Sequence, residues 1–84
     1  MILVAKRITE KTNFGEVVIY LKPIMNLRKM NFAELRKATS IRHEILKKYY
    51  DGVCTSYNEE TLARICYILE CQISDILFYL PPKD

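Results

Sequence analysis

Apolar residues in the middle of the chain recur at helical spacing and predict a series of short helices. Pro23 suits a first helical turn, so a first helix is expected over residues 23–29. Asn31 is a plausible N-cap for a second helix over residues 32–38. A turn at residues 39–41 leads into a third helix over residues 42–50, which Asp51 and Gly52 end.

The C-terminal third continues the helical pattern. Asn58 is expected to cap a fourth helix, whose first turn carries two glutamates at the end where the helix dipole favours anions. The apolar stripe of that helix consists of Leu62, Ile65, Cys66 and Leu69. A short fifth helix is predicted to open at Ser74 and Asp75 and to end at Pro81.

The first twenty residues follow a β-type pattern. Residues 2–4 and 16–20 are rich in β-branched side chains, and Asn13 and Gly15 lie between them, which predicts a hairpin. Two strands alone are marginal in water, so they need a partner surface on this domain or on a second copy. The predicted fold is therefore mainly α, with five helices and an N-terminal β-hairpin or extended strand. Residues 1–20 form the extension and a possible dimer element, and residues 21–84 form the helical domain.

Charge is distributed unevenly along the chain. The overall net charge is +3, but residues 21–50 carry +6 and residues 51–84 carry −4. A basic segment in an otherwise neutral-to-acidic chain indicates a polyanionic partner. A solvated basic face without a partner remains the alternative.

The order of apolar residues and turns resembles a known family. Leu35 is followed by Ile41 six residues on, Leu46 five further on and Gly52 six further on, and then by EETLARICYILEC and SDIL. Over residues 20–81 this pattern is similar to the lambda-repressor-like (Cro/C1-type) helix-turn-helix domains, particularly small bacterial and phage-type members. The resemblance implies that residues 21–84 are a helix-turn-helix DNA-binding domain. It further implies a transcriptional regulator, acting as a homodimer on double-stranded DNA.

Four apolar residues have the spacing to hold the second and third helices together at a fixed angle. They are Leu35, Ile41, Leu46 and Tyr49. Burying them leaves the charged face of the third helix outward, and in such domains the start of this helix points at base edges. The candidates for base contacts are Arg42, His43, Glu44 and Lys47.

Each candidate has a defined chemistry. Arginine pairs bidentately with guanine O6 and N7, and glutamate accepts a hydrogen bond from cytosine N4. Lysine at a helix surface contacts phosphates, and backbone amides at the start of the second helix resemble the family's phosphate clamp. The candidates for phosphate contacts are Asn31, Ala33, Lys48 and Thr55. The simpler alternatives are that His43 is an ordinary exposed histidine and that Glu44 pairs with Lys47 or Lys48.

Two positions depart from the family pattern. Many relatives have glutamine at the position of Phe32, where it touches both DNA and the recognition helix. Phenylalanine donates no hydrogen bond, so that contact is absent or replaced by packing. Ser40 stands where the turn usually carries glycine, and a left-handed serine costs about 1 kcal/mol.

Other functions leave weaker signals in the sequence. A protein-interaction adaptor of the toxin-antitoxin or phage type, which keeps the fold without specific DNA binding, is the alternative that Phe32 and the acidic C-terminal third favour. An enzyme is not expected, because the chain has one histidine and no Gly-rich phosphate loop or metal-ligand cluster. No cofactor, small-molecule ligand or membrane association is evident. Lys6 and Arg7 follow the N-terminal apolar run instead of preceding it, so a cytoplasmic protein is expected.

The three cysteines do not form a zinc-binding pattern. Cys54, Cys66 and Cys71 are odd in number and lack C-x-x-C spacing. Cys66 and Cys71 fall where apolar residues are wanted, so they are read as small core side chains. A disulfide or a redox sensor is the alternative reading. Cys54 is expected to be the most exposed of the three.

Overall fold

Four α-helices and a two-stranded antiparallel sheet make up the part of the chain that the computed structural model describes, residues 13–83. The elements in chain order are β1 (Glu16–Ile19), α1 (Lys22–Leu27), α2 (Phe32–Thr39), α3 (His43–Asp51), α4 (Glu59–Leu69), a 3₁₀ turn (Ile73–Asp75) and β2 (Leu77–Leu80). The mainly helical class and the first four predicted helices are confirmed, with ends that differ by one or two residues.

The predicted fifth helix is wrong. Its residues form the 3₁₀ turn and then β2, which pairs with β1. The segment from Ile76 to Leu80 is short and rich in large apolar and aromatic residues, which suit a strand as well as a helix. Pairing with β1 favours the strand, because β1 supplies hydrogen-bond partners for the backbone of this segment. The hydrogen bond from Tyr20 N to the Ile76 oxygen continues this pairing beyond the strand ends.

The predicted N-terminal hairpin is confirmed only for its second strand. β1 pairs in antiparallel register with β2, so that Glu16 faces Leu80 and Ile19 faces Leu77. A side chain at Gly15, whose φ is +85°, would collide with the carbonyl oxygen of Leu80, so glycine permits the chain to enter β1 beside β2. The predicted strand at residues 2–4 lies outside the described residues. The role of residues 1–20 as a dimer element stays a prediction.

The core draws side chains from β1, from the helices and from the short connections before α1, α3 and β2. The buried apolar residues are Ile19, Leu21, Met25, Leu35, Ile41, Leu46, Tyr49, Ile65, Leu69 and Ile76. The four residues predicted to join α2 to α3 are all among them. Because α3 is attached through this core, its outward face has a fixed orientation relative to α2.

Two arginines close the C-terminal ends of helices to which they do not belong. Arg28 donates from Nε to the Leu69 oxygen at 2.7 Å and from Nη2 to the Glu70 oxygen at 2.9 Å, at the end of α4. Arg64 donates to the oxygen of Thr39, the last residue of α2, at 3.1 Å. The last carbonyl groups of a helix have no hydrogen-bond partner within the helix, and these guanidinium groups supply one. Their positive charge also interacts favourably with the negative end of the helix dipole.

Replacing Arg28 by methionine is expected to lower the free energy of unfolding by about 2 kcal/mol, because two charge-assisted hydrogen bonds to the end of α4 are lost. Urea denaturation followed by circular dichroism measures the change. Lys37→Met is the matched control, since Lys37 is an exposed cation on α2. An effect of Arg28→Met no larger than that of the control would contradict the capping role.

Ser40 adopts the left-handed conformation that was expected because the turn usually carries glycine at this position. Its φ and ψ are 59° and 28°, and it follows the last residue of α2, with its amide bonded to the Arg36 oxygen. The observed turn is thus Ser40–Arg42, because Thr39 stays in α2, where its hydroxyl bonds the Leu35 oxygen.

Ser40→Gly is expected to raise the free energy of unfolding by about 0.5–1 kcal/mol, because glycine adopts this conformation without the steric cost of a Cβ. Thermal denaturation of the two proteins measures the difference. Ser56→Gly serves as the control, because Ser56 has no positive φ and glycine there only adds freedom to the unfolded chain. Equal stabilisation by both substitutions would contradict the argument.

Candidate nucleic-acid interface

The start of α3 presents three exposed polar side chains in sequence. Arg42 is the N-cap in an extended conformation, with φ −62° and ψ 147°, and His43 and Glu44 form the first turn. The predicted start at Arg42 is therefore one residue early, because Arg42 only supplies the carbonyl that accepts the Leu46 amide at 2.9 Å. The buried Leu46 below this turn leaves the three side chains directed away from the core.

The four candidates for base contacts all lie on α3 or at its cap and are all exposed. Positions four apart are neighbours on a helix surface, so Lys47 follows His43 and Lys48 follows Glu44 along α3. Lys47 is an ion-pair partner of Asp51, with Nζ and Oδ1 3.0 Å apart. Both side chains are well exposed, so this pair leaves Lys47 able to exchange Asp51 for a stronger anion. The ion pairs found within residues 13–83 do not include the predicted alternative between Glu44 and a lysine.

An aromatic cluster joins the start of α2 to α3. The ring of Phe32 packs edge-on against His43 at 5.3 Å and against Tyr50 at 5.2 Å between centroids. Lys22 Nζ, from α1, lies 5.0 Å from the centre of the Tyr50 ring, and Lys47 Nζ, from α3 like Tyr50 itself, lies 5.7 Å from it. Of the two outcomes expected for Phe32, an absent contact or packing, the structure shows packing. His43 is exposed, and one edge of its ring packs against Phe32.

The start of α2 is organised by a reciprocal capping box. The side chain of Asn31 accepts from the Glu34 amide at 2.8 Å, and the Glu34 carboxylate accepts from the Asn31 amide at 2.9 Å. These bonds confirm Asn31 as the N-cap and occupy its backbone N–H. Its side-chain NH₂ and the amide of Ala33, in the first turn, are the groups there that fit a phosphate.

Lys48 and Thr55 line one cleft beside the C-terminal half of α3. The cleft has a volume of about 440 Å³ and lies between α3 and the loop that leads to α4. Tyr57 also lines it, and burial, followed by the nearby Cys54 and Tyr49, raises the pKa of its phenol. Tyr57 therefore stays protonated at neutral pH. The two predicted phosphate contacts in this region, Lys48 and Thr55, lie on the same concave surface.

Sequence reasoning missed the residues that support this face rather than form it. Tyr50, left open by the pattern, is half-buried between Phe32 and two lysines. Arg28 and Arg64 bind the carbonyl oxygens at the C-terminal ends of α4 and α2. Arg28 follows α1 and its carbonyl partner is 41 residues away, while Arg64 lies within α4 and its partner is 25 residues away. Neighbouring residues in the sequence give no signal of such distant partners.

The described residues contain no group of three or more His, Cys, Asp or Glu side chains arranged to hold a metal ion. Over residues 13–83, every helix is too short or too polar to cross a membrane.

The chain belongs to the family of Cro/C1-type helix-turn-helix DNA-binding domains. The family model matches residues 20–82, from the residue after β1 through β2. The matched region contains all four helices, α2 and α3 among them. The predicted family is confirmed.

A solved structure supports the same fold. The chain is similar to the transcriptional regulator VanUg in its crystal Form II, with a TM-score of 0.66 and 23% sequence identity. The similarity covers 90% of this chain and 100% of that one, so the two share the fold over nearly their whole lengths. The comparison with curated protein sequences returned no match.

Proposed function

We propose that this protein is a sequence-specific transcriptional regulator that binds double-stranded DNA with residues 42–50 as its recognition helix. The observation that carries the proposal is the exposed start of α3, where Arg42, His43 and Glu44 stand above the buried Leu46. A rigidly attached helix start with polar side chains of this kind fits the major groove. The +6 charge of residues 21–50 supplies the attraction to the phosphate backbone.

Each side chain at the start of α3 is proposed to recognise a different base. Arg42 fits guanine through O6 and N7, and Glu44 fits cytosine through its N4 amino group. His43, packed against Phe32, presents its ring to an adjacent base edge. Lys47, one turn further on, contacts a base or a phosphate after leaving Asp51.

Phosphate contacts are proposed on both sides of α3. The Ala33 amide and the Asn31 side chain hold one phosphate at the start of α2. Lys48 and Thr55 hold another at the cleft after α3. Contacts of this type fix the register of the protein on the duplex, while the start of α3 reads the sequence.

The proposed assembly on DNA is a homodimer in the cytoplasm. One such domain makes few contacts, and two joined domains gain affinity by binding neighbouring half-sites. The surface proposed for self-association is the outer part of the sheet, where the cross-strand partners Val17 and Tyr79 are 52% and 61% exposed. Analytical ultracentrifugation tests this part, and a monomer at all concentrations would contradict it.

Selection from a pool of random duplexes tests the proposed DNA binding. The expected result is enrichment of a palindromic site, with affinity that falls as salt concentration rises. Lys83→Ala, which removes an exposed cation beyond β2, is expected to select the same site. No enrichment together with no salt-dependent binding would contradict the proposal and favour the adaptor hypothesis.

A further inference from the structure

The C-terminal end of α4 is a Schellman motif with a cysteine at each of its two contact positions. Glu70 is left-handed, with φ 51° and ψ 55°, and its amide bonds the Tyr67 oxygen at 3.4 Å. The Cys71 amide bonds the Cys66 oxygen at 3.1 Å. In this motif the side chains of the residues joined by the longer bond commonly touch. Here those residues are Cys66 and Cys71.

The Cys66 side chain influences the ionisation of Cys71. Burial is the main cause that raises the pKa of Cys71 to about 11, and the negative charge and hydrogen-bonding capacity of the Cys66 side chain add to the shift. Cys54 differs, because its thiol donates to the Ser56 oxygen at 2.7 Å within its own loop. Cys66 and Cys71 are therefore a pair, and Cys54 stands apart from them.

Small molecules have a path to the pair. All three cysteines are free thiols of intermediate burial. Cys66 also lines an open apolar groove of about 380 Å³, together with Tyr57, Leu62 and Ile73. A low-molecular-weight disulfide in this groove reaches Cys66 first.

We propose that Cys66 and Cys71 form a reversible intramolecular disulfide by exchange with a small disulfide such as oxidised glutathione. The Cys66 thiolate attacks one glutathione sulfur, forms a mixed disulfide and releases the first glutathione thiolate. The Cys71 thiolate then attacks the Cys66 sulfur and releases the second. The protein dithiol loses two electrons, the glutathione disulfide gains them, and the two protein protons end on two glutathione thiols.

The protonation of Cys71 sets the rate of the second step. Burial keeps the pKa of the Cys71 thiol above its ordinary value, so only a small fraction is thiolate at neutral pH and the mixed disulfide at Cys66 persists. While the pH is below this pKa, the thiolate fraction increases about tenfold for each unit by which the pH is raised. Ring closure accelerates in the same proportion. Closure is therefore slow near pH 7 and more than about tenfold faster near pH 9.

Closing the disulfide is expected to stabilise the fold. The bond joins residues that the helix cap already holds together, and Arg28 fixes the intervening Leu69 and Glu70 carbonyls. Oxidation then restricts mainly the unfolded chain, and the melting temperature is expected to rise by about 5 °C or more. The start of α3 takes no part, so the inference is independent of the proposed DNA binding.

Incubating Cys54→Ser protein in buffers of defined oxidised-to-reduced glutathione ratio tests the inference. Peptide mass spectrometry is expected to show the Cys66–Cys71 disulfide, preceded by a glutathione adduct on Cys66. Cys54→Ser, Cys71→Ser protein is expected to stop at that adduct. Circular dichroism checks that each variant is folded.

Three outcomes would overturn the inference. They are an oxidised monomer without the internal disulfide at pH 9, cross-linking only between molecules, and a melting temperature that falls on oxidation. Wild-type protein provides a further check, since its Cys54 is expected to carry glutathione without joining the pair.

Discussion

Leu46→Ala is expected to lower the free energy of unfolding by about 3 kcal/mol, because a fully buried leucine leaves a cavity in a core that cannot fully collapse around it. Leu46 lies in α3 and belongs to the group that joins α3 to α2. A loss of this size is a large fraction of the stability of a domain of this length. Chemical denaturation at constant temperature measures it.

Ile45→Ala is the matched control for this substitution. Ile45 is the preceding residue on α3, but its side chain is 41% exposed, so truncating it is expected to cost less than about 1 kcal/mol. If the two substitutions cost the same, α3 is not attached through Leu46. The orientation assigned to Arg42, His43 and Glu44 would then lose its basis.

The combined substitution Arg42→Ala, Glu44→Ala is expected to lower affinity for the selected duplex by about a hundredfold. Each base contact of this kind contributes about 1–3 kcal/mol of discrimination, and the two residues are proposed to read different bases. The double substitution removes one cation and one anion, so the net charge is unchanged. Binding to unrelated duplexes is therefore expected to change little. Fluorescence anisotropy with both kinds of duplex measures the two affinities.

Lys48→Ala is a contrasting control for the same titration. A phosphate contact carries no sequence information, so its loss is expected to weaken binding to both duplexes alike and to reduce the salt slope by about one. If the double variant instead weakened both duplexes equally, Arg42 and Glu44 would be phosphate contacts and the assignment of base readers would be wrong.

The sequence predicted the helical part of the fold well because its signals there are local. Asn31 and Asn58 cap α2 and α4 as expected, and Gly52 ends α3 in a left-handed conformation. These residues act through hydrogen bonds or dihedral angles within a few positions of themselves. The period of the apolar residues likewise identified Leu35 and Leu46 as core.

The failures concern interactions between distant residues. Whether Leu77–Leu80 forms a helix or a strand depends on β1, about sixty residues earlier in the sequence. The carbonyl partners of Arg28 and Arg64 are likewise fixed only when α1, α2 and α4 have packed. A single sequence shows the type of each residue but not which chain segment lies next to it.

The candidate site shows the same division. Its face was predictable, because burying one stripe of α3 leaves the opposite side chains outward. The state of individual side chains was not, since the packing of Phe32 on His43 and the pairing of Lys47 with Asp51 depend on rotamers and neighbours. The roles of these residues in DNA binding stay predictions.

Amide chemical-shift mapping by NMR during titration with the selected duplex tests the central claim most directly. The account predicts that the largest changes fall at the starts of α2 and α3 and in the following cleft. These positions include Ala33, Arg42, His43, Glu44, Lys48 and Thr55. Changes confined to the sheet or to the C-terminal end of α4, with the start of α3 unaffected, would contradict the assignment of α3 as the recognition helix.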